Sequence, residues 1–279
     1  MDYPRISVIT PSFNQAAYLE EAICSVLDQH YSNLEFIVLD AGSADGSRAI
    51  IERYDHALSY WRSERDDGQS AAIDEGVRRA TGELAGWLNS DDVLLPGTLL
   101  AIGDAYCQHP TGGLFAGNLA FMNTRGTITG FLRMPARAGW FARHGVFAIS
   151  GPGSFFRTVD YRNVGGVRHD LHYVMDNELY LRMLLQGTHF VYLDRYLAAF
   201  RRHAQQKTSA FKGQVLEEVK QLDQELRVQC GIPYRSPIAV LIYYLYQTTN
   251  GNYLRKRVQT LAARHQHWRE WAGRQEQTR

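Results

Sequence analysis

Short aliphatic and β-branched runs alternate with helical periodicities over the first hundred positions. Ile6-Ser7-Val8-Ile9 and Phe36-Ile37-Val38-Leu39 read as strands, and the second has no polar interruption, which predicts burial on both faces. Between them Leu19, Ala22, Ile23, Val26 and Leu27 recur at the spacing of one helical face, so the segment predicts a βαβ unit. Residues 59–62 form a weaker strand pattern. Ser70 to Ala80 predicts a helix closed by Thr81-Gly82, and residues 84–88 predict another strand, ending at Asn89. This alternation predicts a parallel α/β sheet.

Beyond Pro96 a helix is expected to about Gln108, followed by apolar segments at 114–116, 119–122 and 128–131. Asn123-Thr124-Arg125-Gly126 between the last two predicts a hairpin, which makes the sheet mixed but mostly parallel. Residues 174–186 predict a helix capped by Gly187, residues 190–193 and 198–200 late strands, and the chain from Phe211 a helical end. No repeat or low-complexity linker interrupts it. The expected organisation is an α/β unit over 1–205, in halves of about 1–110 and 111–205, with a helical C-terminal extension over 206–279.

Composition narrows the classes. With 279 residues, 45% of them hydrophobic, the chain can fill a core, so disordered, collagenous and disulfide-scaffold readings drop out. A formal charge of +1 gives no field to gather nucleic acid, and no nucleic-acid partner is expected. Cys24, Cys107 and Cys230 lie far apart, which disfavours structural zinc and points to a reducing compartment. Residues Met1 to Arg5 lead straight into the first strand with no signal-peptide pattern, and the apolar run from Pro237 to Tyr246 is about half the length of a spanning helix. The expectation is a cytoplasmic protein, with any membrane contact peripheral and at the inner face of the cell membrane. The tail carries Arg255, Lys256, Arg257, Arg264, Arg269 and Arg274 with Trp268 and Trp271, a pattern that suits an interfacial anchor or, equally, a solvated arm or homodimer contact.

Three acidic clusters fall at strand ends or helix starts, where an open α/β sheet presents its ligand crevice. Asp40-Ala41-Gly42-Ser43-Ala44-Asp45-Gly46-Ser47 follows the buried second strand; Asp45 and Ser47 suit turn and cap roles, whereas Asp40 at the strand tip can accept hydrogen bonds from a base or ribose. Asn89-Ser90-Asp91-Asp92 follows another apolar strand. Adjacent carboxylates there call for a compensating cation, and Mg²⁺ or Mn²⁺ commonly binds through one or two carboxylates plus substrate phosphates. Asp176 and Glu178 open a helix, where the dipole alone can account for either and where a carboxylate over the crevice can also serve as a general base.

The order of motifs closely resembles the family 2 glycosyltransferases. It runs through residues 8–14 (Val8 to Asn14), 39–47, 67–76 (Asp67 to Gly76), Ala80-Thr81-Gly82-Glu83, Trp87 to Asp92, Ser154 to Arg157, Val164-Gly165-Gly166, residues 175–179 with Arg182, and Arg201-Arg202-His203, covering about residues 4 to 205. The resemblance implies a GT-A fold, with a nucleotide-binding half and an acceptor half over one sheet, and inverting transfer of a sugar from a nucleotide-diphosphate donor, by family frequency a UDP-sugar. It assigns Thr10, Pro11, Asn14, Asp40, Asp67, Gln69, Asn89 and Ser90 to the nucleotide. Asp91, assigned to the nucleotide as well, takes the metal-binding position of the family's Asp-x-Asp motif, whose first aspartate is here Asn89; Asp92 and His203 are assigned with it to the metal, His203 standing near the diphosphate or, on the other reading, being a surface histidine. Asp176 aligns with the catalytic base, with Glu178 as its neighbour. Gly153, Ser154 and Arg157 fall on the acceptor side, for a saccharide or polyprenyl-linked acceptor; Phe155 and Phe156 suit either that surface or the core, as do Trp140, Phe141 and His144.

Other classes fit less well. The first βα turn, Thr10-Pro11-Ser12-Phe13-Asn14-Gln15, lacks the G-x-G-x-x-G of a dinucleotide oxidoreductase. A sugar-phosphate nucleotidyltransferase would open with a basic, glycine-rich loop, and a catalytically silent nucleotide-sugar-binding protein would have no need of both Asp91 and Asp176.

Overall fold

The structure is a computed structural model that describes residues 3–204, 206, 212–231 and 237–277. Its centre is a nine-stranded sheet. Strands β1 (Ile6–Ser12), β2 (Leu34–Asp40), β3 (Tyr60–Ser63) and β4 (Leu84–Trp87) are parallel, in the order β3-β2-β1-β4, with α1 (Ala16–Leu27), α2 (Ser47–Arg53) and α3 (Gln69–Arg79) in the connections. Next comes β5 (Val93–Leu94), then α4 (Thr98–Gln108) and the long β6 (Gly112–Met122) paired through the expected turn with β7 (Ile128–Leu132). After α5 (Ala138–Arg143), β8 (Phe155–Arg157) inserts antiparallel between β4 and β6 and runs into α6 (Thr158–Asn163). Helix α7 (Met175–Leu185) precedes β9 (His189–Arg201), which lies parallel to β6 and carries β5 on its far edge. Helices α8 (Lys212–Cys230), α9 (Pro237–Thr249), α10 (Asn252–Ala262) and α11 (Trp268–Gln277) follow.

Alternation along the buried strands divides the core into layers. Ile9, Ile37, Leu39, Ala85 and Trp87 face α3 and α7, whereas Ile6, Val8, Phe36, Val38 and Leu84 face α1 and α4. A third cluster joins Val93, Ala120 and Phe131 to Trp268 and Trp271, so both tail tryptophans are core residues and offer no apolar anchor.

The two segments expected at 114–116 and 119–122 are one strand, and so are those at 190–193 and 198–200. Register shifts at Gly117 and Asn118 absorb the polar Asp194-Arg195 step as a bulge. Asn118 Nδ2, Tyr192 OH and Arg133 all donate to Asp194, which satisfies the interruption that hid the continuity in the sequence.

Candidate active site

A cavity of about 830 Å³ opens at the carboxyl ends of β1, β2 and β4, within the size range of small-molecule sites. Pro11 and Ser12 come to it from the end of β1, Ala41 and Gly42 from beyond β2, Gln69 from the start of α3, and Asn89, Ser90 and Asp91 from beyond β4. The opposite wall is Gly151-Pro152, His172-Tyr173 and Met175-Asp176. Asp91 and Asp176 therefore share one cavity.

The turn that presents Asp91 is held from behind. Gln69 Nε2 donates to Asn89 Oδ1 at 2.8 Å, and Asn89 Nδ2 donates to Asp92 Oδ2 at 3.2 Å. Arg201 N–H donates to Asp92 Oδ1 and Arg201 Nε to Asp91 O, both at 2.9 Å. Asp92 is fully buried, and burial together with the Asp91 carboxylate pushes its pKa well above the usual carboxylate range. Asp91 Oδ2 lies 2.9 Å from His203 Nε2, whose ring packs on Tyr18.

That contact is a hydrogen bond, and the same separation suits two ligands of one divalent cation. Adjacent ligands in an octahedral shell with bonds of about 2.1 Å stand about 3 Å apart. Among the described residues no group of three His, Cys, Asp or Glu side chains converges, so Asp91 and His203 would leave the remaining positions to water and phosphate oxygens. Asp92 does not fit as a ligand, because its carboxylate points into the fold.

Asp176 sits in the first turn of α7. Its Oδ1 accepts the Asn177 N–H at 2.8 Å, and burial raises its pKa to about 6. Backbone runs directly beside it: a Cβ on Gly151 would lie 2.7 Å from Asp176 Oδ2, so only glycine lets the chain pass this close. The entry to α7 is fixed by a side chain from α8, since Glu218 accepts the N–H groups of His172, Tyr173 and Val174 at 2.8, 2.7 and 3.3 Å.

Several expected site residues stand elsewhere. Glu178 is committed to Arg182 through two contacts at 2.8 and 2.6 Å, and Arg182 donates onward to Val164 O and Gly166 O, so the pair braces the 164–166 turn. Asp40 is fully buried, with its carboxylate occupied by Ser43 N, Ser43 Oγ and Ser63 Oγ; it organises the loop behind Ala41-Gly42 and does not line the cavity. Thr10 is fully buried and does not line the cavity, Asn14 is tied to Ser43 and Ala44, and Asp67 is exposed outside the cavity while Asp66 and Arg65 line it. On the far wall the lining residues are Gly151 and Pro152. Gly153 has φ of +77° and turns the chain into β8, Ser154 Oγ donates to Ser150 O, and the antiparallel register sets Arg157 opposite Leu84, at the end of β4 remote from the cavity. Pro11, Gln69, Asn89, Ser90, Asp91 and Asp176 are brought together; His203 reaches the site through Asp91.

The sequence did not point to Glu21 or Glu218. Glu21 pairs with Arg201 and accepts Trp268 Nε1 at 2.6 Å, linking α11 to the Asp91 turn. Their partners are distant in sequence, and no local pattern marks them.

The profile of glycosyl transferase family 2 matches residues 7–162, and the chain belongs to that family. It is 38% identical over 92 residues to the Bacillus subtilis glycosyltransferase TuaG, provisionally assigned to teichuronic acid biosynthesis, and 39% identical over 90 residues to the uncharacterized glycosyltransferase Rv1514c of Mycobacterium tuberculosis. Each match spans 32% of this chain, and 36% and 34% of the respective relatives, so the likeness covers about a third of their length. Among solved structures, Staphylococcus aureus TarS 1-349 in complex with UDP-GlcNAc superposes with a TM-score of 0.60 at 18% identity, covering 81% of this chain and 74% of that one. The mannosyltransferase PcManGT of Pyrobaculum calidifontis, in complex with GDP-Man and Mn²⁺, gives 0.62 at 19% identity, covering 94% and 75%. The mixed sheet flanked by helices is the GT-A fold.

Proposed function

We propose that this chain is an inverting glycosyltransferase that moves a sugar from a nucleotide-diphosphate donor, a UDP-sugar, to a hydroxyl of a saccharide or lipid-linked saccharide. The observation that carries this reading is the shared cavity of Asp91 and Asp176. The family supports it, as do the nucleotide-sugars bound by TarS and PcManGT.

Asp91 and His203 would hold Mn²⁺ or Mg²⁺. A cation held by these two residues would supply electrostatic stabilisation of the departing diphosphate. Pro11, Ala41 and Gly42 offer apolar and backbone surface to the nucleoside. Asp176 accepts the proton of the acceptor hydroxyl as that oxygen bonds to the anomeric carbon and the nucleoside diphosphate departs from the opposite face. One displacement inverts the centre without an enzyme nucleophile. A pKa of about 6 leaves Asp176 ionised at neutral pH and basic enough to take a proton.

Thermal-shift titration with UDP-, dTDP- and GDP-sugars, with and without Mn²⁺, tests the reading, because a ligand of the native state raises stability by RT ln(1 + [L]/Kd). Stabilisation by one nucleotide class, dependent on Mn²⁺ and lost in Asp91→Ala, is the expected result. No stabilisation by any donor would refute it.

A further inference from the structure

Helices α9 and α10 expose an apolar face that the fold does not cover. On α9, Ile238, Leu241, Ile242 and Leu245 recur at i, i+3, i+4 and i+7, while Ala239 and Gln247 turn inward. Leu254, Val258 and Leu261 form a second outward stripe on α10, and these seven side chains are 41 to 72% exposed. Seven exposed large apolar side chains on two successive helices are more than the scatter expected of a solvated surface and point to an interaction surface.

Charge identifies the occupant. The sequence holds no Asp or Glu between Glu225 and Glu270, whereas exposed Arg255, Lys256 and Arg257 flank the α10 stripe and exposed Arg264 follows it. An isologous contact with a second copy would set these cations against their own images. An anionic surface would meet them with opposite charge while its interior took the apolar stripe, which is the pattern of an interfacial helix. None of the described helices is long and apolar enough to cross a membrane, so the contact is with the surface.

We propose that the α9–α10 pair is a peripheral docking surface for a bilayer containing anionic phospholipid. The residues differ from those the tail composition suggested: Trp268 and Trp271 are buried against Phe131 and the sheet, and the apolar contribution comes from α9 and the outer face of α10. The proposal does not depend on the reaction assigned to the cavity.

Flotation of the full chain with phosphatidylcholine vesicles, with and without phosphatidylglycerol, tests it. Binding is expected only with phosphatidylglycerol, and is expected to weaken at about 0.5 M salt, where screening shortens to a few ångströms. Leu241→Ser with Leu245→Ser and Leu254→Ser should abolish flotation. Arg255→Glu with Lys256→Glu and Arg257→Glu should lower apparent affinity by about a hundredfold or more, from about fivefold for each cation lost. All six side chains are exposed, so circular dichroism and thermal unfolding of both variants should match the parent. Failure to float, equal flotation on neutral vesicles, or unchanged flotation of the serine variant overturns the proposal. A dimer that the same serine substitutions disperse, in a protein that does not bind vesicles, would assign the face to a second copy.

Discussion

Asp176→Asn should weaken catalysis and strengthen the fold at the same time. Burial holds the Asp176 carboxyl at about 6, against an ordinary value of 3.8. At 1.36 kcal/mol for each tenfold change, ionising it in the native protein costs a ceiling of about 3 kcal/mol relative to the unfolded chain. Because the side chain borders an open cavity and keeps part of its hydration, we expect about 1–2 kcal/mol. The sign follows from proton binding. Between about pH 4 and 6 the unfolded chain has lost this proton while the native state retains it, so the native state forfeits stability as pH rises and the penalty is constant above 6. Asparagine keeps an oxygen for the Asn177 N–H and carries no charge, so its advantage should be near zero at pH 4, grow to pH 6 and then level off. Urea unfolding of both proteins across this range measures the difference, and turnover assays across it should show the parent losing about tenfold per pH unit below 6 and the variant inactive throughout. An asparagine variant whose stability gain is absent, or the same at every pH, would refute the electrostatic account; one with normal turnover would remove Asp176 as base.

Gly151→Ala places a methyl 2.7 Å from Asp176 Oδ2 and should cost about a hundredfold in turnover by displacing the base, while donor affinity measured by calorimetry stays unchanged. Asp91→Asn and His203→Ala should each lose the enhancement of donor binding by Mn²⁺, read in the same calorimetric titration with and without metal; full retention in both would put the cation elsewhere. Glu218→Ala leaves three backbone N–H groups at the entry to α7 without their acceptor, a cost of about 1–3 kcal/mol, and should speed amide hydrogen exchange at residues 172–174 and lower turnover. Glu218→Gln, which can still accept, should recover most of both, and exchange rates unaltered in the alanine variant would show that the cap does not hold the wall.

What was legible in the sequence follows the burial of each element. β1, β2 and β4 are covered on both faces, so their apolar runs announce them, and the carboxylates just beyond their carboxyl ends could be placed at a crevice. β8, with three residues, and β5, with two, are too short to carry a period; their existence depends on neighbours contributed by distant segments. Reading β8 as acceptor surface made Arg157 a site residue, whereas its antiparallel direction brings the preceding glycines to the cavity and carries the arginine away. Asp40 and Glu178 had the right residue type at the right kind of position. What distinguished them from Asp91 and Asp176 was the partners that occupy their oxygens: Ser43 and Ser63 for one, Arg182 for the other.

Asp91 and Asp92 illustrate how the same local sequence yields one cavity-lining and one structural carboxylate. Asp92 N–H donates to Asn89 O at 3.0 Å and closes a tight turn that leaves Asp91 lining the cavity and Asp92 fully buried. A buried carboxylate is tolerable only with donors, and Asn89 Nδ2 and the Arg201 N–H provide them. Arg201 is itself 1% exposed, and its guanidinium needs acceptors in turn: Asp91 O, Asn123 O, Thr124 O and the Glu21 carboxylate. Glu21 then takes the indole N–H of Trp268, which brings α11 into the chain of contacts. Each group satisfies the one before it, so the geometry of Asp91 depends on α1, the end of β9 and the last helix together. Trp268 of the last helix thereby closes the polar network that holds the cavity's acidic turn in place, while Trp271 packs on Phe131 and Tyr196.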